Sequence, residues 1–171
     1  GFIGTFLERL LNSVLQSSKA VKSKTELSGG TVSVSFAAIQ FLKTAVTDIN
    51  NKKIILLGTG KIGNNTCKNL VDYLHTRNIT LINRTEDKAA ELAAELNLNY
   101  ASYSKLYDEV KEADVIIVAT NAEKPVILKT DLIGYGEKVL IDMSIPNNID
   151  VTAKELPGVT LVNVDDLSKI N

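Results

Sequence analysis

The chain has one cysteine and one histidine among its 171 residues. A single cysteine excludes an internal disulfide and a cysteine-based metal cluster within this sequence, and a single histidine excludes a His-rich catalytic metal site. We therefore predict no metal site and no catalytic residue in this stretch of sequence. Any redox chemistry has to come from a bound cofactor or from residues elsewhere.

Long apolar runs and an excess of either charge are also absent. No run approaches the roughly 20 apolar residues of a membrane span, and hydrophobic residues at 44% with charged residues at 23% are typical of a soluble globular protein. With no secretory leader, we expect a cytoplasmic protein without a membrane partner. A net charge of −1 provides no positive field for sequence-independent nucleic-acid binding.

The first 50 residues have helical periodicity. Apolar residues recur at three-four spacing from Phe2 to Ala20, which predicts a helix with one buried stripe. Ser28-Gly29-Gly30 then predicts a break, and Thr31 can cap a second helix that extends to Ile49. We predict that residues 1–50 form a helical segment packed on a sheet and that residues 51–171 form the main domain.

After Asn50-Asn51, short apolar runs alternate with helical segments. The predicted strands are Lys53–Leu57, Ile79–Ile82, Val115–Ala119, Val139–Ile141 and a last one around Thr160–Val164. The predicted helices are Lys61–His75, Glu86–Leu96 and Ser104–Lys111, with a weaker turn at Lys129–Ile133. Uniformly apolar strands are covered on both faces. The pattern predicts an α/β fold: a doubly wound, mostly parallel Rossmann sheet with helices on both faces, preceded by two N-terminal helices.

The segment Gly58-Thr59-Gly60-Lys61-Ile62-Gly63 directly follows a strand and opens a helix. In that context the first glycine permits a tight turn, the second lets a pyrophosphate approach the backbone, and the third allows close helix packing. The helix N-terminus offers N–H groups and partial positive charge to phosphates. We predict that these six residues bind a dinucleotide; the alternative is a tight turn that binds nothing.

Asn83-Arg84-Thr85 ends the second strand, where an acidic residue would hold the ribose of NAD. Arg84 instead offers a planar fork of donors to a 2′-phosphate, and Thr85 adds a hydroxyl at the start of the next helix. We predict that these three residues bind NADP (NADPH) in preference to NAD. The alternative is a surface arginine beside a threonine that only caps the helix.

Ligands of doubly wound sheets lie beyond the carboxyl ends of the strands. We therefore expect two segments, Ala119-Thr120-Asn121 and Asp142-Met143-Ser144, to border the nicotinamide half of the cofactor. For Asp142, hydrogen bonding to nearby backbone N–H groups is an equal alternative.

Four further features could be mistaken for catalytic groups. We predict that Cys67 is a buried hydrophobe facing the sheet and that His75 lies at a helix end. Asp165-Asp166 is predicted to cap a helix. Ser33 and Ser35 either face the cleft or are exposed.

Six segments together resemble the glutamyl-tRNA reductase family. They are "TVSVSFAAI", "GTGKIG", "NRTEDKAAELAAEL", "ADVIIVAT", "VLIDMSIP" and "LVNVDDL". The resemblance implies an NADPH-dependent oxidoreductase that reduces glutamyl-tRNA to glutamate-1-semialdehyde in tetrapyrrole (porphyrin and haem) biosynthesis. In that family a cysteine in a separate N-terminal domain forms a thioester that NADPH reduces, so this NADPH-binding part alone is expected to be inactive.

The resemblance also implies partners. These are NADPH, glutamyl-tRNA, a second copy joined through a C-terminal dimerisation domain, and glutamate-1-semialdehyde aminotransferase. One departure from the family concerns Pro146-Asn147-Asn148, where the family usually has Pro-Arg-Asp. The loss of that arginine puts any substrate or interdomain contact at this position in doubt.

Three other functions fit part of the pattern. A shikimate-type dehydrogenase also carries "NRT" after its glycine turn, but "TVSVSFAAI" argues against it. A regulatory dinucleotide-sensing domain usually has an acidic residue where Asn83-Arg84 stands. A site for another nucleotide or a methyl donor would leave Arg84 without a phosphate partner.

Overall fold

The computed structural model describes the backbone of residues 24–169 and the side chains of residues 33–168. The strands are β1 (Ile54–Leu57), β2 (Ile79–Ile82), β3 (Asn99–Ala101), β4 (Val115–Val118), β5 (Lys138–Asp142) and β6 (Val159–Asn163). The α-helices are α1 (Lys24–Ala45), α2 (Lys61–Leu74), α3 (Glu86–Leu96), α4 (Leu106–Glu112) and α5 (Val164–Lys169). Short 3-10 helices span Ile49–Asn51, Tyr103–Lys105, Lys129–Asp131 and Val151–Glu155.

The six strands form one parallel sheet in the order β3-β2-β1-β4-β5-β6. Leu57, the last residue of β1, lies opposite Ile82 of β2 and Val118 of β4. The carboxyl ends of the three central strands therefore coincide. The strand order reverses between β1 and β4, and a crevice opens at such a point in doubly wound sheets. The predicted Rossmann fold is confirmed.

The core has two layers because alternate strand residues point to opposite faces of the sheet. Ile54 and Leu56 pack on one face with buried residues of α1, α2 and α3. Ile55 and Leu57 pack on the other face with residues of α4 and of the loops around it. All four β1 side chains are buried, which explains why this strand is apolar at every position.

Helix α1 differs from the prediction. It runs without interruption through Ser28-Gly29-Gly30, so the predicted break there is wrong. Each glycine costs a helix only about 1 kcal/mol relative to alanine. Burial of Ala37, Ala38, Ile39 and Leu42 against the sheet provides tertiary packing that holds the helix. The helix predicted for Phe2–Ala20 lies outside the described residues.

The sequence pattern missed β3. This three-residue strand lies at the sheet edge beside β2, and its Asn99 and Tyr100 are exposed. An exposed edge strand needs no apolar run, so hydrophobic periodicity gives no signal for it. Its omission also hid the loop that follows it, which contributes to the cleft described below.

Within residues 24–169, no helix combines the length and the apolar character that crossing a bilayer requires.

Candidate dinucleotide-binding site

A cleft of about 710 Å³ opens at the carboxyl ends of the central strands. The predicted residues that line it are Gly58, Thr59, Gly60, Lys61, Ile62, Asn83, Arg84, Thr85, Ala119, Thr120, Asn121 and Met143, together with Ser144. Lys88, Tyr103, Ala122, Val126 and Ile145 complete the lining. The volume lies within the range of small-molecule and cofactor sites.

The glycine turn joins β1 to α2 and depends on two close backbone approaches. Gly58 has φ +98°, and a Cβ there would lie 2.3 Å from the Ala119 carbonyl oxygen. A Cβ on Gly63 would lie 2.1 Å from the Gly58 carbonyl oxygen. Gly63 is buried behind the turn and does not line the cleft. Its lack of a side chain lets α2 pack against the turn.

Gly60 has a different role, because a Cβ at this position would meet no atom within 4 Å. It is the N-cap of α2 and faces the cleft. The first N–H groups of a helix have no partner inside the helix, which makes this end attractive to phosphate. Beside it, the Thr59 Oγ1 is buried without a hydrogen-bond partner among the described residues. Both observations fit a ligand that carries phosphate and hydroxyl groups.

Asn83 braces the neighbouring loop to the glycine turn. Its Oδ1 accepts the Thr59 N–H at 3.2 Å, and its Nδ2 donates to the Thr85 carbonyl oxygen at 3.0 Å. A third bond, from the Gly58 N–H to the Ile82 carbonyl oxygen at 2.8 Å, joins the same two strand ends. The predicted cofactor-binding residue is thus also a structural link within the site.

The charges around this end of the cleft have one sign. Arg84 is exposed, and its guanidinium lies 5.8 Å from the centroid of the Tyr103 ring, within cation–π distance. Lys61 and Lys88 line the same cleft. None of the described lining residues is acidic. A phosphate bound in this half of the cleft would therefore meet positive side chains and no negative one among the described lining residues.

The opposite half is formed by the segments that follow β4 and β5. The Thr120 N–H donates to the Ser144 Oγ at 3.0 Å, which ties the two segments together. The Met143 N–H donates to the Val118 carbonyl oxygen at 2.8 Å and extends the parallel pairing to the cleft. Thr120, Met143 and Ser144 thus present a fixed wall.

Asp142 does not line the cleft, and the structure places it behind that wall. It is 1% exposed, and its carboxylate accepts N–H groups of Ser144 at 3.0 Å, Asn148 at 2.8 Å and Ile149 at 2.9 Å. Burial raises the pKa of this carboxyl above its ordinary value, and the three backbone bonds oppose the rise. The geometry corresponds to the alternative in which Asp142 organises local backbone.

Cys67 is buried in the core, as predicted. Burial raises the pKa of its thiol to about 12. The thiolate is the nucleophilic form, so Cys67 is unreactive at neutral pH.

The other candidate groups serve local structure. His75 ends α2, where its backbone N–H donates to the Val71 carbonyl oxygen. Asn163 and Asp166 cap α5 reciprocally, each side-chain oxygen accepting the other residue's N–H at 2.8 and 3.0 Å.

Ser33 and Ser35 are neither exposed nor in the cleft, so both predicted placements are wrong. They are 2% and 0% exposed, and Ser35 lies against Thr66 of α2. The Ser35 Oγ lies 3.2 Å from the Thr66 Oγ1, within hydrogen-bond distance. The small hydroxyl side chain of Ser35 fits between α1 and α2 and can share a hydrogen bond with Thr66.

Two of the lining residues that sequence reasoning missed had a signal that could have found them. Lys88 lies three residues after Thr85, in the first turn of α3, where helix geometry returns a side chain toward the N-cap. Tyr103 follows β3, so recognition of that strand would have brought it to the same sheet edge. Ala122, Val126 and Ile145 carry no chemical signature in the sequence.

Comparison with known proteins shows where this architecture recurs. The family model described as shikimate / quinate 5-dehydrogenase matches residues 40–170. Glutamyl-tRNA reductase 2 of Flavobacterium johnsoniae is 49% identical over 170 residues, which cover 99% of this chain and 39% of that protein. The chain thus spans about two fifths of the length of this relative.

Solved structures give the same result. Glutamyl-tRNA reductase from Methanopyrus kandleri superposes with a TM-score of 0.73 at 27% identity, over 81% of this chain and 36% of that one. The nucleotide-binding domain of glutamyl-tRNA reductase from Thermoplasma volcanium superposes with a TM-score of 0.61 at 21% identity, over 80% and 89%. The second likeness concerns the fold alone. The resemblance to glutamyl-tRNA reductase predicted from the sequence is confirmed.

Proposed function

The chain belongs to the family described as shikimate / quinate 5-dehydrogenase. Because the similar proteins that match nearly the whole chain are glutamyl-tRNA reductases, we propose that it is the NADPH-binding domain of such a reductase. Within this proposal, residues 51–171 are the NADP-binding Rossmann domain and residues 1–50 a helical segment that packs on it. The full-length protein would reduce glutamyl-tRNA to glutamate-1-semialdehyde in the cytoplasm.

The extent of the sequence match favours the reductase over a shikimate-type dehydrogenase. The family model begins at residue 40, whereas the reductase of Flavobacterium johnsoniae matches 99% of the chain. The additional matched part includes the "TVSVSFAAI" segment of α1. That segment contributes buried residues such as Ala37 and Ile39 to the core beneath the cleft.

The observation that supports NADPH over NADH is the charge of the cleft. Lys61, Arg84 and Lys88 line it, and no described lining residue is acidic. A hydrogen bond to a charged group contributes about 1.5–3 kcal/mol, so one Arg–phosphate contact gives roughly a tenfold to hundredfold preference.

The chain's own residues would bind and orient the cofactor. The glycine turn and the start of α2 would hold the pyrophosphate, Arg84 and Thr85 the 2′-phosphate, and Thr120 with Met143 the nicotinamide half. NADPH bound there supplies a hydride. Met143 and the apolar lining residues Val126 and Ile145 would exclude water from the nicotinamide.

The acyl group to be reduced would have to come from another part of the full-length protein. Cys67 is buried with a pKa of about 12 and cannot form a thioester with glutamyl-tRNA. We assign that step to a cysteine outside this chain. Assembly as a homodimer through another domain and association with glutamate-1-semialdehyde aminotransferase complete the proposal.

The proposal is tested by nicotinamide absorbance with the full-length protein and two substrates, glutamyl-tRNA and dehydroshikimate. We expect NADPH oxidation with glutamyl-tRNA only. Oxidation with dehydroshikimate would instead assign a shikimate-type dehydrogenase. Tight NADPH binding with no turnover of either substrate would assign a dinucleotide-sensing domain.

A further inference from the structure

The two segments that form the nicotinamide half of the cleft are joined by the buried side chains of Ser144 and Asn148. We propose that Asn148 is a positioning residue that fixes this half for NADPH, and that tight NADPH binding requires its side-chain amide, because the amide can both donate and accept hydrogen bonds. The inference rests on the proposed function, since it takes NADPH as the ligand.

Asn148 is 0% exposed and makes hydrogen bonds with both of its amide atoms. Its Oδ1 accepts the Ala122 N–H at 3.2 Å and the Thr120 hydroxyl. Its Nδ2 donates to the carbonyl oxygens of Ala122 at 2.8 Å and Pro146 at 3.3 Å. A further bond runs from its Nδ2 to the Lys124 carbonyl oxygen at 3.5 Å. The side chain therefore holds the segment after β4 at Thr120, Ala122 and Lys124, while it belongs to the segment after β5.

The backbone of Asn148 is itself held in place. Its N–H donates to the Asp142 Oδ2 at 2.8 Å, and the other oxygen of that carboxylate accepts the Ser144 N–H at 3.0 Å. The Ser144 Oγ then accepts the Thr120 N–H. Asp142, Ser144 and Asn148 form one network that ends at Thr120 and Ala122.

Asn148 does not line the cleft, but Thr120 and Ala122 do. Its effect on a ligand must therefore pass through these two residues. None of its described hydrogen bonds reaches the glycine turn or the loop Asn83–Thr85. Loss of the amide should for this reason reduce only the contribution that the nicotinamide half makes to ligand binding.

An amide is required because the partners include both donors and acceptors. An ionised carboxylate at position 148 could still accept from Thr120 and Ala122 but could not donate to the carbonyl oxygens of Ala122 and Pro146. It would also place a second negative charge beside the buried Asp142.

The test compares two ligands that share one half of the site. NADPH spans the whole cleft, whereas 2′,5′-ADP carries only the adenosine half with its 2′-phosphate. Both are titrated calorimetrically into the full-length protein with Asn148→Ala, with Asn148→Asp and with Asn147→Ala. The last is a matched control, because Asn147 is the half-buried neighbour whose side chain takes part in none of the described hydrogen bonds.

We expect Asn148→Ala to weaken NADPH binding by about tenfold or more, as the loss of buried hydrogen bonds predicts. Binding of 2′,5′-ADP should stay within about twofold, which also shows that the variant is folded. If Asn148→Ala does not fold, Asn148→Asp takes its place, because it keeps the side-chain volume and the acceptor oxygen. Its affinities for NADPH and 2′,5′-ADP are then compared in the same way. Asn147→Ala should bind both ligands as the unaltered protein does.

Equal losses for both ligands, or no loss for either, would overturn the role of Asn148. Failure of the unaltered protein to bind both NADPH and 2′,5′-ADP would instead overturn the proposed function.

Discussion

The two halves of the cleft are built in different ways. The half proposed to bind adenosine consists of a glycine turn and a loop whose functional groups are backbone N–H groups and exposed cations such as Arg84. The half proposed to bind nicotinamide consists of two segments tied by buried side chains, with Asp142 and Asn148 at 1% and 0% exposure. The first half depends on the space that the glycine turn leaves for a ligand. The second half depends on the hydrogen bonds that hold the segments after β4 and β5 together.

Gly63→Ala tests the adenosine half most severely. Its Cβ would lie 2.1 Å from the Gly58 carbonyl oxygen, so backbone has to move. We expect a loss of roughly 3 kcal/mol or more in the free energy of unfolding, measured by urea denaturation. Gly60→Ala is the matched control, because its Cβ meets no atom within 4 Å. Its stability should fall by about 1 kcal/mol or less.

Gly63→Ala and Gly60→Ala also distinguish an effect on folding from an effect on NADPH binding. Gly60→Ala should fold but bind NADPH about tenfold more weakly or worse, since its methyl group occupies the space for the pyrophosphate. Titration by calorimetry checks this. Unchanged NADPH affinity in Gly60→Ala would mean that the pyrophosphate does not lie against the turn.

Thr66→Val tests how the core supports the nicotinamide half. The Thr66 Oγ1 donates to the Ile62 carbonyl oxygen at 2.8 Å and lies 3.2 Å from Ser35 Oγ and 3.5 Å from Met143 Sδ. Valine keeps the shape but removes the hydroxyl, so we expect a stability loss of about 1 kcal/mol. Because Met143 lines the cleft, NADPH affinity should fall by a few-fold.

A stability loss in Thr66→Val without any change in NADPH affinity would show that the Thr66 hydroxyl supports the fold but not the site. Thr66→Ser, which restores the hydroxyl, should recover the affinity.

Cys67 provides the smallest expected effect. Burial raises its pKa to about 12, so the folded protein keeps the thiol protonated. The folded pKa lies above the unfolded value, so the favourable contribution of the neutral thiol is present at low pH and declines as pH rises toward 12. We expect thiol reagents to modify native Cys67 slowly throughout about pH 7 to 9, and rapidly in denaturant.

Fast labelling of the native protein would contradict the burial of Cys67. NADPH affinity in Cys67→Ala should stay within about twofold, which distinguishes a core residue from a participant in the site.

The difference between the halves also explains what could be predicted from the sequence. The glycine turn and Asn83-Arg84-Thr85 are contiguous segments, and their position after apolar strands is visible in the order of residues. Asn148 acts on Thr120 and Ala122 across 28 and 26 positions, and no local pattern encodes such a bond. Apolar periodicity predicted the buried strands but missed the exposed β3 and, with it, Tyr103.

Helix α1 also shows that a local sequence pattern cannot predict an effect of tertiary packing. Local propensity at Gly29-Gly30 predicted a break, but the helix continues and packs on α2 and the sheet. Tertiary packing outweighed a local cost of about 1 kcal/mol for each glycine.

The central claim is that Arg84 selects NADPH. Calorimetric titration of the full-length protein with NADPH and NADH should give at least about tenfold tighter binding of NADPH. Arg84→Ala should reduce NADPH affinity to the NADH level and leave NADH affinity unchanged. Arg77→Ala is the control, because Arg77 is an exposed arginine that bonds the Leu96 carbonyl oxygen and does not line the cleft. Equal affinities in the unaltered protein, or full selectivity retained in Arg84→Ala, would contradict the account.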